Sequence, residues 1–150
     1  CRPTPATADY VNRIRFIART EPLLLLSHAY TRYLGDLSGG RVLMRVARRA
    51  LNLGGSDDGL RFYKFENVSS PKKFKDEYRR ELDGLDLDAE SVERLVAEAN
   101  VAFVLNMRLF EELDVANGVK GATVRDLKEA TRYYDEVVEE QEKRKKEEEG

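Results

Sequence analysis

The chain is poor in the residues that cross-link, anchor or sharply bend a protein. It has one cysteine, one histidine, no tryptophan and four prolines among 150 residues. A lone cysteine, Cys1, excludes an internal disulfide and suits a reducing compartment. No apolar run approaches the roughly 18–20 residues of a membrane span. Leu23 to Leu26 is four leucines, and the first residues do not resemble a signal peptide. Charge of one sign is also lacking: 26 basic residues face 28 acidic ones, for a net charge of −2. That balance gives no electrostatic footprint for nucleic acid. What is present is 41% hydrophobic and 36% charged residues, which predicts one soluble, helix-rich domain with a modest core. The chain opens on Cys1 rather than a methionine and is expected to be a piece of a longer polypeptide.

Apolar periodicity predicts an all-α fold. Thr4-Pro5 suits a helix start, followed by Tyr10, Ile14 and Ile17 at helical spacing. Glu21-Pro22 ends that segment or opens the next. A second helix is predicted over 23–51, through Leu26, Tyr30, Tyr33, Leu37, Val42, Val46 and Ala50. Residues 52–59, NLGGSDDG, form a loop, and LRFYKFENV (60–68) reads as a connection whose aromatics pack down. Ser70-Pro71 restarts a helix carrying Phe74, Tyr78 and Leu82. The most regular stripe follows: Val92, Leu95, Val96, Ala99, Phe103, Asn106, Leu109, Phe110 and Leu113. NGVKG (117–121) breaks it, and EEQEKRKKEEEG ends the chain as a solvated or frayed helix end. The expected division is a helical domain over 1–116 and a charged helical extension over 117–150.

One stretch contradicts its own helix. TRYLGDLSGGRVLM (31–44) carries three glycines, an aspartate and a serine within the periodic run. At roughly 100° per residue, Gly35, Gly39, Arg32, Asp36 and Gly40 share an arc of about 140°. Each interior glycine costs about 1 kcal/mol relative to alanine. A helix end at Gly39-Gly40 or a close neighbouring helix would account for them. So would a flat, wide ligand lying on the bare backbone, with the Asp36 carboxylate at its edge.

HAYTRYLGDLSGG (28–40) resembles the distal-helix signature of the haem oxygenases nearly residue for residue. The likeness continues through LRFYKF (60–65), KFKDEYRREL (73–82) and EANVAFVLNMRLFEEL (98–113) in the family's order, and PTPATADYVNRI (3–14) resembles its preceding segment. The resemblance implies an all-helical fold that holds haem between a proximal and a distal helix. It also implies an oxidoreductase of the monooxygenase type, opening haem to biliverdin, ferrous iron and carbon monoxide with O₂ and electrons from NADPH through a reductase. By the same resemblance Gly35, Gly39 and Gly40 let the backbone lie close over the porphyrin. Asp36 orders a proton-delivering water, supported by Arg32 and Asn106. Lys75 and Arg79, spaced i, i+4, pair with the propionates, and Tyr30 stands near one of them. Phe103 and Phe110 match pocket aromatics, although as stripe residues they are core candidates in any protein.

One departure bears on activity. The family ligates iron through a proximal histidine upstream of everything matched here, whereas His28 lies inside the distal signature. His28 is expected to pack or face solvent rather than bind iron, and no other metal site is expected. The 150 residues therefore read as the distal half of a haem oxygenase plus an extension, binding haem weakly and turning over poorly alone. A catalytically inactive haem-binding or haem-sensing module, or a helical interaction domain, are the alternatives. The expected partners are NADPH–cytochrome P450 reductase or a ferredoxin. The expected location is intracellular, in the cytoplasm or on the cytosolic face of the endoplasmic reticulum.

Overall fold

The computed structural model describes residues 2–149, the side chain of Ala130 excepted. Among them the only regular structure is helical: α1 (Pro5–Thr20), α2 (Leu25–Ala50), α3 (Pro71–Asp83), α4 (Ala89–Ala116) and α5 (Leu127–Glu149), with short 3₁₀ turns at Pro22–Leu24 and Arg61–Tyr63. Their ends follow local chemistry. Pro5 and Pro71 occupy first helical turns, where a missing N–H costs nothing. The Ser70 side chain accepts from Lys73 N, and the Asp88 carboxylate accepts from Ser91 N at 2.7 Å. α2 stops not at its glycines but at Asn52. That residue adopts φ 50°, while Asn52 N donates to Arg49 O and Leu53 N to Arg48 O. Gly118, at φ 69°, closes α4 with the same pair of bonds.

Contacts divide the chain into two units, residues 1–31 with 87–150 and residues 32–86, the boundary falling within α2. In the first unit α4 is the central helix, packing against α1 and α5. Tyr10 of α1 joins Val101, Val104 and Leu105 of α4 in the core cluster, with Leu109 and Tyr134 against it. Ala6, Ile17, Leu24, Ala97 and Ala102 are also buried.

The charged tail is more ordered than its composition suggests. It is helical to Glu149, and Gln141 is buried with its amide donating to Glu90 O (3.0 Å) and Glu93 Oε2 (3.1 Å). Arg144 pairs with Glu93 and Lys145 with Glu90. The Tyr134 hydroxyl donates to Glu21 at 2.7 Å. Burial and that carboxylate push the Tyr134 phenol up to about 12.

In the second unit Leu34 and Leu37 of α2 and Leu60 of the connection are buried. Asp57 ties the connection together, accepting from Lys64 at 2.6 Å and from Arg48. Hydrogen bonds from those two cations hold its carboxyl below the usual carboxylate range. The aromatics of this connection divide. Tyr63 and Phe65 approach Gly40, whereas Phe62 is exposed rather than packed down.

Candidate functional site

The second unit presents one face of α2 that is bare and apolar. Around that helix Gly35, Gly39, Val42, Leu43 and Val46 fall within about 100° of arc, and the three large residues among them are exposed. Leu34, Leu37 and Gly40 are buried on the other side. A methyl group added at Gly35 or Gly39 would meet nothing within 4 Å outside the local helix backbone. Among the described residues no neighbouring helix requires either glycine, and α2 is continuous through both. Gly40 differs. A Cβ there would stand 3.5 Å from Tyr63 Cδ1 and 3.9 Å from Phe65 Cε2, in ordinary contact with the connection.

Polar groups stand on and beside this face: by helical phase Arg32 falls within its arc and Asp36 just outside it. The Arg32 guanidinium donates to both Asp36 oxygens, at 3.2 and 3.3 Å, an i, i+4 pair that fixes the carboxylate along the helix. Asp36 also lines a cleft of about 260 Å³ with Leu37, Arg41, Met44, Tyr63 and Phe65. Lys75 of α3 donates to Ser38 Oγ at 3.0 Å, and Arg79 pairs with Asp76 at 3.5 Å. Nearby Tyr78 has its phenol pushed up by burial and by the proximity of Tyr33.

The remaining sequence-selected residues belong to the first unit. Tyr30 is exposed. Asn106 donates to Ala102 O on its own helix (2.8 Å) and to the Tyr10 hydroxyl of α1 (3.0 Å). Phe103 and Phe110 are not core: they are 59% and 60% exposed. The core face of α4 is instead the arc of Ala97, Val101, Ala102, Val104 and Leu105, roughly opposite.

His28 is buried, not at the surface. Its Nε2 lies 2.8 Å from Glu98 Oε1, and Arg13 Nε donates to the same oxygen at 3.0 Å while its Nη2 reaches Oε2. Burial pushes the Glu98 carboxyl up, but the bonds from His28 and Arg13 outweigh it and hold the group below its ordinary value. No group of three or more His, Cys, Asp or Glu side chains among the described residues is arranged to hold a metal ion.

Sequence reasoning passed over Tyr10, Arg13 and Glu98 as site-forming residues. Only Glu98 left a trace, a carboxylate between Ala97 and Val101 on an otherwise apolar helix face.

Comparison with known proteins bears on the family and the fold. A family profile described as heme oxygenase matches residues 1–112. The heme oxygenase of Guillardia theta is 50% identical over 114 residues, covering 76% of this chain and 48% of that protein. That of Porphyra purpurea is 54% identical over 113 residues, covering 75% and 47%. Heme oxygenase 2 of Oryctolagus cuniculus is 51% identical over 122 residues, covering 81% and 39%. Among solved structures, heme oxygenase-1 from the cyanobacterium Synechocystis in complex with heme aligns with TM-score 0.72 and 44% identity, covering 79% of this chain and 54% of that one.

The class so defined is the all-helical haem oxygenase fold. The chain belongs to the haem oxygenase family. It spans about half the length, or less, of these curated relatives, and α5 lies beyond the matched residues.

Proposed function

We propose that this chain forms the distal part of a haem oxygenase: it presents haem for oxidative opening to biliverdin, ferrous iron and carbon monoxide, using O₂ and electrons from NADPH passed on by a reductase. The observation that carries the proposal is the open glycine face of α2. Two helix-interior glycines cost roughly 2 kcal/mol together, and among the described residues no packing contact requires them. Bare backbone beside exposed Val42, Leu43 and Val46 fits a flat apolar ring system, and the Asp36 carboxylate at its border fits a polar edge.

Haem, when bound, supplies the iron at which O₂ is reduced and the porphyrin edge that is opened. The chain's own residues do the rest. Gly35 and Gly39 admit close approach. Asp36, fixed by Arg32, keeps acceptor capacity for a water and so holds a proton source in place. Lys75 and Arg79 supply cations for carboxylate groups. The resemblance assigns Gly40, Tyr30, Phe103 and Phe110 to haem contact, and Asn106 to support of the water. It also points to NADPH–cytochrome P450 reductase or a ferredoxin as donor, and to the cytoplasm or the cytosolic face of the endoplasmic reticulum as location. Among the described residues no helix is long and apolar enough to cross a membrane.

A second reading, a haem-binding module without turnover, is favoured by one observation. The only histidine in these 150 residues is buried on Glu98, so the chain offers no imidazole for iron. Hemin titration followed by absorption tests both readings. The expected result is uptake without a histidine-type Soret band, with biliverdin formation under reductase and O₂ separating enzyme from module. A histidine-type band that vanishes in His28→Ala would overturn the assignment of His28, and absence of any uptake would overturn the proposal.

A further inference from the structure

His28 opens the signature HAYTRYLGDLSGG, yet the haem reading gives it no role. Its surroundings give it another task. Glu98 is fully buried and holds its carboxyl below the ordinary value, so it is ionised and can only accept hydrogen bonds. His28 Nε2, 2.8 Å from Glu98 Oε1, must therefore carry the proton. The other ring nitrogen, Nδ1, is buried and has no hydrogen-bond partner among the described residues. A proton on Nδ1 would be a buried donor with no acceptor, a costly state. The imidazole is thus held as one tautomer, the neutral ring protonated at Nε2, with its plane fixed by the carboxylate.

That fixed ring packs on Tyr10, with centroids 5.6 Å apart and planes tilted by 49°. Tyr10 in turn accepts one Asn106 amide N–H at its hydroxyl, alongside the bond that the amide makes to Ala102 O on its own helix. Glu98 and Asn106 stand eight residues apart on α4, just over two turns, so both ends of the chain of contacts rest on one rigid helix. All five residues, Arg13 included, belong to the first unit.

We infer that His28, anchored by Glu98, is a positioning residue: it holds the Tyr10 ring and through it sets the orientation of the Asn106 side-chain amide. This rests on the reading of Asn106 as part of the distal polar network.

The test needs no haem. In the ¹⁵N-labelled full chain, His28 is the sole histidine, so the imidazole nitrogen spectrum reports it alone. It should show a protonated Nε2 and a bare Nδ1. Tyr10→Phe gives the Asn106 amide signal that loss of the hydroxyl produces. His28→Gln, which keeps an N–H toward Glu98 but removes the ring, should move the Asn106 signal most of the way to that position. His28→Phe, which keeps a ring against Tyr10, should move it less. A protonated Nδ1 overturns the inference, and so does an Asn106 signal unchanged in His28→Gln. The imidazole measurement uses the unaltered chain and decides the tautomer even where a variant fails to fold. An Asn106 that follows His28 in a chain taking up no hemin would support the inference and overturn the haem reading, so the two failures stay distinct.

Discussion

Replacing Gly35 and Gly39 together by alanine should make the chain more stable and a poorer haem binder. Both residues lie in the helical interior of α2, and neither has a positive φ. An added methyl at either meets nothing within 4 Å, so no strain opposes the gain in helix propensity. At about 1 kcal/mol each the double variant gains roughly 2 kcal/mol. For a chain of this size that raises the midpoint by about 4–8 °C. On the same face the two methyls would hold a flat ring off the backbone. A gap of about 0.5–1 Å forfeits a quarter to a half of each dispersion contact. Over roughly two dozen atom contacts of about 0.15 kcal/mol each, the loss is about 1.4 kcal/mol, or tenfold in affinity. Urea denaturation and hemin titration of the same preparation measure both. Gly40→Ala is the stability comparison: its methyl would touch Tyr63 and Phe65 at ordinary distance, so it tests the propensity gain at a packed position rather than an open one. Stability that rises while haem affinity stays unchanged would refute a ligand role for the bare backbone. Stability that falls would refute the open face itself.

Other outcomes follow from the polar contacts. Arg13→Met strips the buried Glu98 carboxylate of its cation and should cost about 3–5 kcal/mol in urea denaturation; a cost below about 1 kcal/mol would show that the pair is not buried in solution. Because the Glu98 carboxyl lies below its ordinary 4.5, its contribution is present above that pH and is lost as pH falls through the folded value. Glu98→Gln should flatten that part of the acid stability profile. The Tyr134 phenol runs the other way. Raised from 10.0 to about 12, it contributes stability that is full below pH 10 and is lost as pH climbs towards 12. Tyr134→Phe should abolish that alkaline slope in a Tm–pH series, and an unchanged slope would show that the buried phenol does not set it. Arg144→Ala, at an exposed pair with Glu93, should cost no more than about 1 kcal/mol, with the loss shrinking at high salt.

The elements were legible where the determinants are local. Pro5, Pro71, Ser70 and the NGVKG break announce helix ends through backbone chemistry that acts within four residues, and the structure places boundaries there. The end of α2 was less plain. The glycine pair is the stronger breaker by propensity, but a glycine in helical conformation costs only about 1 kcal/mol, too little to stop a helix whose Leu34 and Leu37 are buried. Asn52 stops it because a left-handed residue there lets two N–H groups satisfy the last carbonyls. The charged tail was opaque for a different reason. Among the described residues its one deeply buried residue is Gln141, whose burial depends on partners fifty residues away and leaves no periodic apolar mark.

The site was half legible, and α4 shows why. Its sequence carries two apolar arcs. One holds Ala97, Val101, Ala102, Val104 and Leu105; the other holds Val92, Val96, Phe103, Met107 and Phe110, centred about 170° away. Periodicity finds the arc with the larger residues and names it core. The structure buries the smaller ones, on the side where Tyr10 of α1 and Tyr134 of α5 pack, and leaves the large residues of the other arc exposed. A helix apolar on both sides and covered on one has a second surface to satisfy. In a chain spanning about half of its relatives, the exposed arc and the glycine face of α2 are both surfaces that the described contacts do not explain, which is where the haem reading places its aromatics and its glycines. Substituting Phe103 and Phe110 by serine should therefore cost little folding stability, since neither is buried, while lowering hemin uptake. A loss of several kcal/mol in urea denaturation would show that this arc is core after all.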